Sequence, residues 1–214
     1  MKKQRTKYTV FGGLCSLMAS MSATASPVIS ELFYDASGSD AGKVFVELFG
    51  APGDLLDGMV LEGINGSNGS VYSGVNLSGV IPADGVFVIG DGSGGVTSVP
   101  NTDLIADVDF QNGPDSVVLR SGNRILDAVG YGSFSAQDEF AGEGSAAPDP
   151  SAGSSIARAN AAVDNDDNSL DFVVLDTPTP GLAVTASAVP LPATAWLFAS
   201  GLLTLVGIRR QDTA

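Results

Sequence analysis

The side chains best suited to bind a cation lie in the stretch DNDDNSLDF, which starts at Asp164. Asp164, Asp166 and Asn168 alternate like the first ligands of a calcium-binding loop. Such a loop needs glycine at position six and glutamate at position twelve, where this chain has Ser169 and Leu175, so an EF-hand is excluded. Two interpretations stay open: a looser calcium site, and an Asx-rich turn whose side chains accept hydrogen bonds from nearby amides. The sequence favours the turn.

A second candidate is the glycine-rich stretch GDGSGG at residues 90–95, which fits the pattern GxGxxG and resembles the DSGG of serine proteases. A dinucleotide site requires a helix directly after the glycines, but the β-branched VTSVP follows and Pro100 ends it. A serine nucleophile usually needs a histidine base, and the chain contains no histidine. The stretch therefore predicts a turn.

The residue inventory excludes further chemistry. The only cysteine, Cys15, lies in the apolar segment near the N-terminus, so the body offers neither thiol nor imidazole and zinc chemistry is excluded. We predict no catalytic and no cofactor-binding residue, and we expect a protein that is not an enzyme. The alternative from another class is a calcium-dependent secreted hydrolase that uses the carboxylates between Asp164 and Asp171.

Charge narrows the set of partners. Residues 27–188 contain 23 acidic and four basic residues, a formal excess of 19 negative charges. Such a surface repels nucleic acid and anionic lipid headgroups and attracts cations and cationic polymers. Nucleic-acid binding through a basic surface is excluded.

The elements that would position these residues are short strands. Val, Ile, Phe and Leu occur in short runs separated by Gly, Asn, Asp and Pro, and several runs alternate with period two. Many short strands with such turns predict an all-β sandwich or barrel. Residues 27–181 are long enough for one domain, and residues 133–154 read as one long surface loop. The runs are VISELFYDA, KVFVELFG, MVLEGI, SVYSGVNL, GVFVIGD, DSVVLRSG, RILDAVGYG, SSIARAN and DFVVLDT.

The first 25 residues have the three parts of a secretory signal peptide. A basic start precedes an apolar run from Tyr8 to Met21, which is short for a membrane span, and Ala23 and Ala25 form an A-x-A cleavage site. We place cleavage after Ala25. The expected partners at this step are a Sec-type export machinery and signal peptidase.

The far end carries a second apolar segment, residues 189–211, which a small-residue linker at 182–188 connects to the body. Pro190 and Pro192 prevent regular helix or strand pairing and keep the backbone extended, as a protease cleft requires. Residues 191–208 are apolar and, as a helix, would nearly match the thickness of a bilayer core. Arg209 and Arg210 would keep the end in the cytoplasm and leave the body outside.

The series of motifs in the body resembles the lamin-tail domain, an immunoglobulin-like β-sandwich. This resemblance implies an interaction platform without a general catalytic set. Phe45 and Met59 stand where the family usually has tryptophan, and Gly50 replaces an asparagine. The motifs that resemble the family are VISEL, FVELFG, LDGMVL, IPADGVFVIGD, FQNGPDSVVL, GSSIAR, DNDDNSLDF and TPTPG.

The tail resembles the PEP-CTERM sorting signal in its Val-Pro-Leu-Pro-Ala variant. The resemblance implies recognition of this motif by an exosortase, a membrane enzyme of Gram-negative bacteria that make exopolysaccharide. The apolar helix would hold the chain in the inner membrane transiently, and the body would then pass to the outer surface or matrix, where exopolysaccharide is an expected partner. The alternative is a permanent single-span anchor. The recognised residues would be Val189, Pro190, Leu191, Pro192 and Ala193, with Arg209 and Arg210 as the stop-transfer pair.

Overall fold

The computed structural model describes residues 26–92 and 94–185. The signal peptide, the sorting motif and the apolar run before Arg209 lie outside these residues. Within them, none of the helices has the length and apolar character that crossing a membrane requires.

Ten strands and one short helix make up the described chain. The nine predicted runs each contain a strand, and the structure adds β6, which the sequence did not predict because only three residues between aspartates form it. The strands are β1 (Val28–Phe33), β2 (Phe45–Phe49), β3 (Met59–Asn65), β4 (Val71–Asn76), β5 (Val86–Asp91), β6 (Leu104–Ala106), β7 (Asp115–Ser121), β8 (Arg124–Tyr131), β9 (Ser155–Arg158) and β10 (Phe172–Leu175), and the helix α1 is Asn168–Asp171.

The strands form two sheets. One has six strands in the order β10-β9-β1-β2-β5-β6, and the other has four in the order β4-β3-β7-β8. All pairings are antiparallel except that of β5 with β6. The two sheets pack over a shared apolar core, so the predicted all-β sandwich is confirmed.

Period-two alternation explains the core. In β2, Val46 and Leu48 face inward, while Phe45 and Phe49 belong to the opposite face. The four-stranded sheet contributes inward residues such as Leu61, and these are fully buried as well. Burying each such aliphatic side chain stabilises the fold by roughly 1.5–3 kcal/mol.

Loops cover the outer faces of both sheets. On the six-stranded sheet, Phe45 and Val88 pack with Val99 and with Ala183, which belongs to the last described residues, 178–185, hereafter the closing segment. On the four-stranded sheet, Val118 packs against Ala141 of the long loop between β8 and β9. The predicted linker starts at residue 182, and the chain stays in contact with the body beyond that point because Ala161 N–H donates to the Val184 carbonyl.

The glycine-rich stretch forms the end of a strand and a turn. β5 continues through Asp91, and Gly94 and Gly95 follow with φ of 64° and 78°, values that glycine adopts easily. No helix follows among the described residues of this segment, so the arrangement that a dinucleotide site needs does not occur here.

Candidate functional site

The most unusual group of side chains surrounds Arg158 at the end of β9. β9 alternates, so Ile156 and Arg158 point toward the core while Ser155 and Ala157 face the other side of the sheet. The side chain of Arg158 has no solvent exposure. A buried guanidinium is tolerated only when its charge and donors are matched, so its surroundings must supply anions and acceptors.

Arg158 is hydrogen-bonded through Nε and both terminal nitrogens. Its Nε donates to the Ile29 carbonyl at 2.9 Å, and its Nη2 donates to Asp127 at 2.8 Å. Its Nη1 donates to Asp171 at 2.8 Å and to Asp164 at 3.2 Å. The guanidinium carbon also lies 4.9 Å from the centre of the Phe172 ring. Burial lowers the pKa of Arg158, but the carboxylates around it raise that pKa above its ordinary value.

Asp127 connects the two sheets. It lies on β8 of the four-stranded sheet, is fully buried, and accepts hydrogen bonds from Arg158 and from Ile29 N–H on β1. Arg158 in turn donates to the Ile29 carbonyl, so both backbone groups of Ile29 are bound. The ion pair therefore joins β8, β1 and β9.

Asp171 fixes the acidic loop to the same point. Its carboxylate accepts from Arg158 and from the backbone N–H of Asn165 at 2.9 Å, and the Asn165 side-chain amide donates to it as well. Asp164 also accepts from the backbone N–H of Asp166. The loop that starts at Asp164 thus wraps around the buried cation.

Glu143, from the long loop between β8 and β9, completes what we call the Arg158 cluster: Arg158, Asp127, Glu143, Asp164 and Asp171. Its Oε2 is buried and has no hydrogen-bond partner among the described residues. Burial, and then the charges of Asp127 and Asp164, raise the pKa of Glu143 to about 8. Glu143 therefore keeps its proton to a higher pH than an ordinary carboxyl does.

Asp127, Glu143 and Asp164 could each offer one carboxylate oxygen to a metal ion, because these oxygens lie within 4.8 Å of one another. The other hydrogen bonds of the group oppose this role. Both oxygens of Asp127 accept N–H groups, and the Asp164 oxygen that faces Arg158 accepts two. Of these three residues, Glu143 alone keeps a buried oxygen that has no donor among the described residues. The cluster is thus built as an ion-pair network around a guanidinium.

The three residues considered as calcium ligands, Asp164, Asp166 and Asn168, make different contacts in the structure. Asp164 accepts from Arg158, while Asp166 is exposed and has a left-handed φ of 52°. Asn168 is fully buried; its side-chain oxygen accepts from the N–H groups of Gly130 and Glu143, and its amide donates to the Ala128 carbonyl. The bonds within the loop, from Asp166 N–H to Asp164 and from Ser169 N–H to Asp167, are those of an Asx-rich turn.

A second buried pair lies on the outer face of the six-stranded sheet. Glu31 of β1 and Glu47 of β2 stand directly opposite each other, and both are 1% exposed. Hydroxyl and backbone donors bind them: Ser155 and Thr179 donate to Glu31, and the Gly181 N–H donates to Glu47 at 2.8 Å. The pKa of Glu47 is raised above its ordinary value, mainly by burial and also by the charge of Glu31. The Ser30 hydroxyl and the Gly181 N–H act in the opposite direction and lower it.

The pair holds the closing segment on the sheet. Thr179 uses both its N–H, at 2.9 Å, and its hydroxyl, at 2.7 Å, to bind the two oxygens of Glu31. A cavity of about 220 Å³ lies beside the pair, lined by Leu175, Leu182 and Val184 among others. The two glutamates therefore act as anchors for the last described residues of the chain.

Sequence reasoning missed Arg158, Asp127, Glu143 and the Glu31–Glu47 pair. A signal was present for some of them: Glu31 and Glu47 each lie inside an apolar run, and Arg158 is one of four basic residues in the body. The sorting residues Val189 to Ala193, the arginines 209 and 210, and the cleavage residues Ala23 and Ala25 lie outside the described residues.

Comparison with known proteins identifies no similar protein. No family model, curated protein or solved structure matches this chain. The function must therefore be argued from the residues themselves.

Proposed function

We propose that the chain is an exported, acidic, non-enzymatic β-sandwich of the lamin-tail type, which an exosortase sorts to the outer surface or extracellular matrix. The observation that carries this proposal is the sequence of the tail at residues 189–211: a Pro-Leu-Pro motif, an apolar run of membrane length, and two arginines. An anchor alone needs the apolar run and the arginines but has no use for the two prolines.

The order of the body motifs supports the lamin-tail assignment. Glu31 of VISEL and Glu47 of FVELFG accept hydrogen bonds from Thr179 and Gly181 of TPTPG in one buried contact. Arg158 of GSSIAR is bound by the acidic loop that follows it. Five of the eight motifs that carry the resemblance therefore supply contacts that join strands, loops and the closing segment, and these contacts support the proposal.

The same contacts support a binding or structural role. The buried carboxylates of the Arg158 cluster and the Glu31–Glu47 pair are used to hold the sandwich together, with Glu143 Oε2 as the exception. The exposed acidic surface is left for partners, and it suits cations and cationic or hydrated polymers of a matrix.

Replacing the prolines tests the sorting proposal. Pro190→Ala and Pro192→Ala together remove the Pro-Leu-Pro motif but leave the apolar run and the arginines intact. In the native host we expect the doubly substituted protein to stay in the inner membrane with an uncut C-terminus, as intact mass shows. Pro148→Ala with Pro150→Ala is the matched control, since these prolines lie in the loop between β8 and β9. Normal processing of the first variant, or an uncut Ala214 in the unmodified protein, refutes exosortase sorting; the latter result favours the permanent anchor.

The calcium-dependent hydrolase is the second candidate, and the free oxygen of Glu143 is the observation in its favour. Melting with millimolar calcium, magnesium or chelator separates the two. If the ions only screen the negative surface, calcium and magnesium change the melting midpoint equally, and that is the result we expect. A rise specific to calcium and lost in Glu143→Gln would show a bound ion linked to folding and favour the alternative.

A further inference from the structure

The edges of the two sheets differ in how their backbone groups are protected. An unprotected edge strand presents free N–H and C=O groups to which another strand can pair, and proteins usually block such edges with charges, prolines or covering loops. Two of the edges, β6 and β10, are short, and aspartates flank them at Asp103, Asp107, Asp171 and Asp176. They offer little length for pairing.

The β8 edge of the four-stranded sheet is covered. The Asn168 side chain occupies the Ala128 carbonyl and the Gly130 N–H, and the Ala147 N–H donates to the Gly130 carbonyl at 2.8 Å. These groups would otherwise pair with an added strand.

The β4 edge, at the opposite side of that sheet, is open. Leu77 N–H donates to the Met59 carbonyl, and bonded pairs alternate along an antiparallel ladder, so the backbone groups of Gly74 and Asn76 face away from β3. Within residues 26–92 and 94–185, no loop or side chain hydrogen-bonds to these two backbone positions. On the outer face of the sheet, a side chain at position 74 would meet no atom within 4 Å, so the structure has room for a larger residue there.

The chemistry of β4 separates it from the rest of the surface. Residues 63–83 contain no charged side chain, in a body with a formal excess of 19 negative charges. Nearby charges are Glu62, which is paired with Arg120 at 2.5 Å, Glu139 beside the hairpin loop at Gly69, and Asp57, which accepts from Gly79 N–H. Two copies can therefore approach along β4 without placing acid against acid.

We propose that β4 is a self-association surface: two copies of this chain pair their β4 strands antiparallel and join their four-stranded sheets into one. The surrounding acidic surfaces repel each other, so association depends on ionic strength. The screening length falls from about 10 Å at 0.1 M salt to about 3 Å at 1 M, whereas the paired backbone groups are little affected. The inference does not depend on the sorting proposal, because β4 lies wholly in the described body.

The test uses the full chain, purified as its host processes it, in analytical ultracentrifugation over a range of protein concentrations at about 0.1 M and about 1 M sodium chloride. We expect a monomer at low salt and a monomer–dimer equilibrium at high salt. Hydrogen exchange should then show protection of the Gly74 and Asn76 amides that grows with protein concentration. A monomer under all conditions, or a dimer without this protection, overturns the proposal.

Charge variants make the test specific. Gly74→Glu and Gly74→Lys each place like charges together across the new pairing, and each should weaken self-association about fivefold. An equimolar mixture of the two should associate at least as well as the unmodified protein. Leu170→Glu and Leu170→Lys, on the exposed helix α1, are the matched controls. Unchanged melting shows that the Gly74 variants fold despite the nearby Glu62; if they then behave like the controls, the proposal fails.

Discussion

The Arg158 cluster and the Glu31–Glu47 pair both bury carboxylates, but different kinds of partner compensate for their loss of hydration. The Arg158 cluster surrounds a cation and joins the two sheets, whereas the Glu31–Glu47 pair has no described cationic partner and uses hydroxyl and backbone donors to hold the closing segment. A buried ion pair is costly to break because it leaves an unmatched charge. A carboxylate bound by neutral donors loses one hydrogen bond at a time. The first group should therefore control global stability, and the second should control the attachment of the chain end.

Loss of the cation should give the largest effect. Arg158→Met leaves Asp127 and Asp171 buried without their partner, so we expect a loss of about 3–5 kcal/mol in the free energy of unfolding. Arg120→Met is the matched control: its pair with Glu62 is partly exposed, and we expect about 1 kcal/mol or less. Urea unfolding measures both. Equal losses in the two variants would contradict the role given to the cluster.

An intermediate effect is expected at the closing segment. Thr179→Val removes the hydroxyl that donates to Glu31, and we expect a loss of about 1.5–3 kcal/mol. Native-state hydrogen exchange should show faster exchange at the Thr179 and Gly181 amides, while amides of β7 stay protected. Thr177→Val, at an exposed position nearby, is the control. Global unfolding without local opening would show that the segment is not a separate unit.

The smallest effect should be a gain in stability. Because the pKa of Glu143 is raised to about 8, the folded state prefers the protonated carboxyl. The stability that the protonated Glu143 carboxyl contributes is fully present below a pH of about 4.5, and it is lost as the pH rises toward 8. Glu143→Gln mimics the protonated form, so we expect it to stabilise the protein by about 1–2 kcal/mol at pH 8, an amount reduced for partial exposure.

At pH 4 the Glu143→Gln variant and the parent should have the same free energy of unfolding. Glu139→Gln, an exposed substitution in the same loop, should change little at either pH. A Glu143→Gln variant that is less stable than the parent at pH 8 would mean that the ionised carboxylate stabilises the fold.

The strands were predictable and the buried charges were not, for one physical reason. Alternation along a run such as VFVEL shows which residues share a face, and this is enough for strands and a sandwich. It does not show that the outer face carrying Glu47 is covered by a segment that begins to contact it 134 positions later, at Gly181. Nor can spacing show that Arg158 meets Asp127, since 31 residues separate them. The loop after Asp164 was identified as a turn from local chemistry, but its purpose depends on a distant guanidinium.

The side-chain amide of Asn168 has a consequence for how large an assembly can become. By occupying the Ala128 carbonyl and the Gly130 N–H, one residue takes the place that a neighbouring strand would have at β8. When two copies pair through β4, the joined sheet has a covered β8 strand at each outer edge. The association therefore closes at two copies in a twofold arrangement. Open-ended growth into fibres, the usual hazard of an unprotected edge strand, is thereby opposed at β8 by Asn168 together with the Ala147 N–H.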